Sequence, residues 1–333
     1  MSDKKHNPAG IIIGSIFSLL IFVLAGWLLF NRQFVVDQLA VWSFTPSSEV
    51  SAIEDRIDFT NKGSFYFLAT QPSIDQAETF NQDCPRQETG SPIVGCYASG
   101  RIYIYDITNE KLNGIKEVTV AHETLHAIWE RASAEEQKRL GGLLRAEYAK
   151  LDDGELKTRM DYYARTEPGQ FENELHSIIG TEVADISPEL ETYYSHFFED
   201  RQIILNFHAQ YSAVFEDLST RADTLYGELT ALSDSIARRT TQYNSDVTLL
   251  SADIAAFNER ANNGGFASMN QFNNERAALV ARSNQLGSER TAINSDIATY
   301  TAKYDQYQEI AGEIEILNKS IDSITNLEPA PSL

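Results

Sequence analysis

The chain has 333 residues, 42% of them hydrophobic and 11% aromatic, enough to bury one sizeable core and leave room for a second module. Its net charge of -21 and pI near 4.6 leave no basic surface to neutralise phosphates, which argues against a nucleic-acid partner.

Residues 11–30, IIIGSIFSLLIFVLAGWLLF, run for twenty positions without a charge and match the thickness of a bilayer core as a helix. The run is longer than the apolar region of a cleaved signal peptide and continues past the small-residue site near Ala25, so an uncleaved transmembrane helix is expected. Lys4 and Lys5 precede it, whereas Arg32 and Asp37 balance after it; the positive-inside bias puts residues 1–10 in the cytoplasm and the rest outside, as a single-pass protein of the cell membrane. Residues 31–48 read as a juxtamembrane segment carrying Trp42, and Pro46 ends it.

Residues 49–200 read as an α+β domain with a short sheet. SSEVSAIEDRI is expected to be a helix, GSFYFLAT a buried strand, SIDQAETF a helical turn or two, and YASGRIYIYDIT a strand of alternating faces. Cys84 and Cys96 close a Pro/Gly-rich loop, a spacing that suits a disulfide in an oxidising compartment and is too sparse for a zinc ribbon. Helices follow from near Gly114, from a Ser133/Glu136 capping box, and on either side of Glu167-Pro168-Gly169.

From residue 201 to 326 the pattern is a heptad repeat. Leu218, Ala222, Leu225, Leu229, Leu232, Ile236, Tyr243, Val247, Leu250, Ile254 and Phe257 step by fours and threes with one polar position skipped. After Gly264-Gly265 a second seam runs through Leu279, Leu286, Ile293, Ile297, Tyr300, Tyr304, Tyr307, Ile314 and Ile321. An antiparallel coiled-coil hairpin is expected, roughly 75 Å long for fifty residues, with parallel self-association or a protein partner as the other use of these seams. Residues 327–333 form a short tail, expected to be disordered.

The chemical signal is VTVAHETLHAIWE, residues 118–130. His122 and His126 stand one helical turn apart and can offer two imidazoles to a zinc ion, while Glu123 can serve as general base on a water whose pKa the metal lowers. The flanking Thr119, Val120, Thr124, Leu125, Ala127 and Ile128 are uncharged, unlike a surface helix with two solvated histidines.

This H-E-x-x-H with a preceding strand resembles the zincin metallopeptidases, over about residues 49–200. Position 129 is Trp129 and position 132 is Ala132, so the extended metzincin motif is absent and the resemblance is to the gluzincin branch, whose third ligand is a glutamate on a later helix. The resemblance implies Zn2+ held by His122, His126 and Glu174, since Asn173-Glu174-Leu175-His176-Ser177 looks like the surroundings of that glutamate. Ser177 would let the two helices approach closely. Glu172, Glu182 and His176 are the other candidates, Glu182 being second, with Asp185 three residues on. The resemblance assigns His176 to hydrogen-bond the substrate oxyanion. Tyr162, Tyr163, Tyr193, Tyr194, His196 and Arg201 are further possible donors, and the strand bearing Tyr103 and Tyr105 could bind an extended peptide at its edge.

The implied function is that of a membrane-anchored, extracytoplasmic zinc peptidase acting on a peptide or protein. Two other readings stand beside it: an envelope structural or interaction protein built on the coiled coil with an inactive zincin-like domain, and an amidase of the cell wall using the same metal chemistry.

Overall fold

The computed structural model describes residues 8–85, 92–166 and 168–324. The expectations for residues 1–7 and for the tail at 327–333 lie outside the described residues, as does most of the loop between the two cysteines. Two compact units emerge: one comprises Met1–Val214 with Leu317–Leu333, the other Phe215–Ile316.

The first unit opens with α1 (Pro8–Phe30) and α2 (Arg32–Ser43), then α3 (Ser48–Ile57), α4 (Asn61–Ala69), β1 (Ser73–Asp75), α5 (Ala77–Asp83), β2 (Gly95–Ala98) and β3 (Arg101–Tyr105). It continues through α6 (Ile115–Arg131), α7 (Ala134–Tyr148), α8 (Gly154–Thr166), α9 (Phe171–Glu182) and α10 (Pro188–Tyr194). The long helices α11 (Arg201–Asn262) and α12 (Met269–Ile321) each have one end in it. The architecture is therefore mostly helical, with a small sheet and a long C-terminal helix pair. Among the described residues no single helix is long and apolar enough to cross a membrane; Phe17–Phe30 and Arg32–Ser43 meet that requirement only together, bent by 81°.

Two local expectations are corrected. Residues 63–70 form the end of a helix rather than a strand, because the Thr60 side chain accepts the Gly63 amide as an N-cap and starts α4 there. A short apolar run has no period of its own to separate the two conformations. Residues 73–75, expected to be helical, form β1 instead, paired with β3 from Ser73↔Tyr103 to Asp75↔Tyr105. The sheet order is β1-β3-β2, with β1 parallel and β2 antiparallel to β3. The strand with Tyr103 and Tyr105 is thus central and paired on both sides. Among the described residues the outer edges of the sheet belong to β1 and β2. Cys96 of β2 is joined to Cys84 by a disulfide, Cα to Cα 6.0 Å, tying the strand to the end of α5.

Helix α6 is the axis of this unit, packed against α9, β2, β3, α3 and α4. Its uncharged face makes that possible: Val118, Ala121, Leu125 and Ile128 join Ile102 and Ile104 of β3 and Leu175, Ile178 and Ile179 of α9 in one core. Both ends are fixed by charge. At the start, Gly114 turns the chain at φ +100°, Arg56 reaches Glu117 at 2.5 Å, and Lys116 bridges Glu49 and Asp106. At the end, Arg131 grips Asp37 of α2 through two hydrogen bonds of 2.8 and 2.9 Å and donates to the Tyr97 hydroxyl of β2.

The second unit is a helical hairpin. Leu218, Leu229, Leu250 and Phe257 of α11 are buried with Ile293 and Ile310 of α12, and a triangle of Phe257, Phe266 and Phe272 closes the tip. Ile254, Ile297 and Tyr304, read as seam residues, are exposed instead. The reason lies in α12, where one of the two heptad positions is charged: Glu275, Arg282, Glu289, Asp296 and Lys303 recur every seven residues. These pair across to Arg260, Asp253, Arg239 and Glu228 of α11. Arg239 is the polar position skipped in the first seam.

Candidate metal centre

The two histidines of the motif lie on one face of α6, their ring centroids 4.8 Å apart and nearly perpendicular. Helix α9 crosses this face closely because its contact residues are small. Ser177 is fully buried, and a Cβ on Gly180 would meet the Leu125 side chain at 2.5 Å and the Tyr194 ring at 2.7 Å. That approach delivers Glu174, itself 4% exposed, to the histidines. One carboxylate oxygen is 3.8 Å from His122 Nε2 and the other 3.6 Å from His126 Nε2. One ligand atom from each of the three lies within 4.8 Å of the others. Two ligands at ordinary zinc bond lengths and a tetrahedral angle are separated by roughly 3.4 Å, so the three groups fit one ion with little movement.

The chemistry of the donors agrees with the spacing. The His126 Nδ1–H donates to the Asn173 amide oxygen at 3.0 Å, which leaves the Nε2 lone pair directed at the common point. Asn173 is held in turn by Gln170 at 3.0 Å. Burial, then the neighbouring His126, Arg159 and His176, hold the His122 pKa well below its usual value, so this ring is neutral as a ligand must be. Two imidazoles and a carboxylate form a donor set that suits zinc.

Glu123 is buried beside His122 and lies against the β2 edge. A Cβ at Gly95 would come within 3.3 Å of its Cγ and 2.4 Å of Thr119 Cγ2, so only a glycine lets the strand pass this close. Tyr163 of α8 is part of the same surroundings. Burial first, then the charge of Glu174, raises its phenol pKa, with Glu123 adding to the effect and Arg159 opposing it. The hydroxyl stays protonated throughout the neutral range.

The remaining candidates do not join the centre. Glu182, the second choice as ligand, is bound by Arg159 at 2.6 Å and faces His208 at 3.5 Å. Glu172 pairs with Arg145, and Asp185 is exposed. His176, expected as an oxyanion donor, is fully buried, its ring 5.3 Å from Trp129 and its Nε2 3.0 Å from the Tyr193 hydroxyl. Two positions along α9 from Glu174, it faces the core, where burial pushes its pKa down to about 3. Tyr194 donates to the His176 carbonyl, Arg201 caps the carbonyls of Ile179, Val183 and Ala184, Tyr162 packs on Tyr163, and His196 is exposed. Asn173, which orients His126, has no signal in the sequence beyond its place just before Glu174.

No protein family, curated protein or solved structure matches this chain.

Proposed function

We propose that this protein is a zinc-dependent peptidase of gluzincin type, held in a membrane by its N-terminal helix with the catalytic unit on the extracytoplasmic side. The convergence of His122, His126 and Glu174 on one point carries this reading. The Cys84–Cys96 disulfide supports the compartment, since such pairs persist where the surroundings are oxidising.

His122, His126 and Glu174 would hold the metal, with Asn173 fixing the ring of His126. A bound zinc ion supplies Lewis acidity, polarising a carbonyl and lowering the pKa of water to about 7. Glu123 takes the proton from the attacking water on its carboxylate and passes it to the departing amine nitrogen. Tyr163, kept protonated by burial and the charge of Glu174, would donate a hydrogen bond to the carbonyl oxygen as negative charge develops there. The outer edge of β2 would line up an extended peptide, and Gly95 lets that strand pack directly against Glu123 and Thr119.

The test uses the full chain purified in detergent, assayed for bound metal and for cleavage of unstructured polypeptide. One zinc per chain and hydrolysis are expected. Glu123→Gln should keep the zinc and lose about 100-fold or more of the rate. A wild-type chain free of zinc and inert ends the reading. Zinc without hydrolysis leaves a structural module.

A further inference from the structure

Helix α2 has two unlike faces. Its inner face packs on α4, stacks Phe34 on Phe65 at a centroid distance of 5.8 Å, and buries Asp37 in the double hydrogen bond to Arg131. The outer face carries Arg32, Val36, Leu39 and Trp42, spaced by fours and threes; the three apolar side chains are 52, 55 and 75% exposed. An apolar stripe of this kind, ending in a tryptophan and bordered by an arginine, needs a cover.

We propose that this face rests on a lipid bilayer, with α2 lying along the boundary between headgroups and acyl chains. The inference builds on the reading of α1 as the membrane anchor. Three observations select lipid over other occupants. Only Asn31 separates α1 from α2, and the described part of α1 meets α2 at 81°, so a helix crossing the bilayer turns into one running along its surface. The side chains are those of an interfacial helix: Trp42 has an apolar ring with a polar N–H, and Arg32 has an apolar stem that can carry its charge to the headgroups. The Asp37–Arg131 pair also fastens the folded unit to the back of α2, which keeps the helix out of the hydrocarbon and excludes a bent pair spanning together.

Seating α2 on the surface also fixes the height of the metal centre. Arg131 lies five residues beyond His126 on the same helix, a rise of about 7.5 Å. The three side chains of the centre are thereby held close to the bilayer.

The chain has three tryptophans, Trp27, Trp42 and Trp129, and the first two separate the anchor from the docking helix. The full chain is reconstituted in phosphatidylcholine vesicles brominated either near the headgroup or at the chain end. Emission is compared with that of the Trp27→Phe and Trp42→Phe variants. Bromine near the headgroup should quench the contributions of both residues, and the Trp42 contribution should be lost from quenching in a Val36→Glu/Leu39→Glu variant that melts normally in detergent. Quenching of Trp27 with Trp42 untouched overturns the docking and leaves the anchor. Quenching of neither shows that α1 is not inserted and removes both. Stronger quenching of Trp42 by chain-end bromine places α2 in the hydrocarbon and also overturns the proposal. So does an unquenched Trp42 whose emission follows the protein-to-lipid ratio, which marks a second copy as the occupant.

Discussion

Charged side chains do opposite work in the two units. In the first unit the charges that anchor α6 are withdrawn from water: Asp37 and Arg131 have side chains 4 and 7% exposed, and Glu117 is buried beneath a half-exposed Arg56. In the hairpin the charges stay at the water's edge. Arg282 and Asp253, for example, remain 45 and 55% exposed while bridging α11 and α12. A buried pair costs desolvation and gives position in return, because its partners can be satisfied in one arrangement only. An exposed pair adds little energy but discourages wrong registers between two long helices. The first unit gathers His122, His126 and Glu174 within 4.8 Å of one another, whereas the hairpin aligns two long helices.

Asp37→Ala tests the buried side of the contrast most severely. It leaves the Arg131 guanidinium buried without its counter-charge and should lower stability by about 3–5 kcal/mol in denaturant titrations. A loss below about 1 kcal/mol, typical of an exposed pair, would erase the distinction. Gly180→Ala is expected to cost about 1–3 kcal/mol, since its Cβ enters space held by Leu125 and Tyr194. It should also weaken zinc binding by moving α9 away from α6, which isothermal titration would detect.

Acid should separate the units further. His176 is neutral in the fold with a pKa near 3, against about 6.5 unfolded, so as pH falls below about 6.5 the unfolded chain gains a proton that the folded one does not. The stability this gives is present above the unfolded value and is lost on acidification, by about 2 kcal/mol at about pH 5. Stability measured with and without His176→Phe should show that slope in the first unit alone; an unchanged slope in the variant assigns it elsewhere. Asp253→Ala has the smallest expected effect, within about 1 kcal/mol and diminishing as salt is added. A larger loss would mean the hairpin relies on its charges much as the first unit does.

Local pattern made some of this legible in the residues. The H-E-x-x-H spacing and its uncharged flanks pointed to a buried helix with both imidazoles on one side, and α6 has that form. The resemblance of Asn173-Glu174-Leu175-His176-Ser177 to the gluzincin pattern pointed to Glu174, which the fold sets beside the two histidines, and the heptads of α11 pointed to the helical hairpin. The apolar run Phe65–Ala69 is too short for a period to distinguish helix from strand, and Ser73-Ile74-Asp75 is a strand through its pairing with β3, a distant segment. The seam of α12 was misread because half of it is charged, and charge across a helix interface is recognisable only beside its partner.

The sequence by itself determined the elements whose order depends on neighbours within a few turns: the motif helix, the disulfide loop and the long helices. Tertiary structure decided which side chains from distant segments meet. It set Glu174 beside the two histidines and Glu182 against Arg159; it buried His176 in the core; and it paired β3 on both sides, leaving β1 and β2 at the edges of the sheet. The physical reason is that a helix period fixes a side chain's direction about its own axis, whereas its partner depends on how closely two helices pack, and here that distance is set by Ser177 and Gly180.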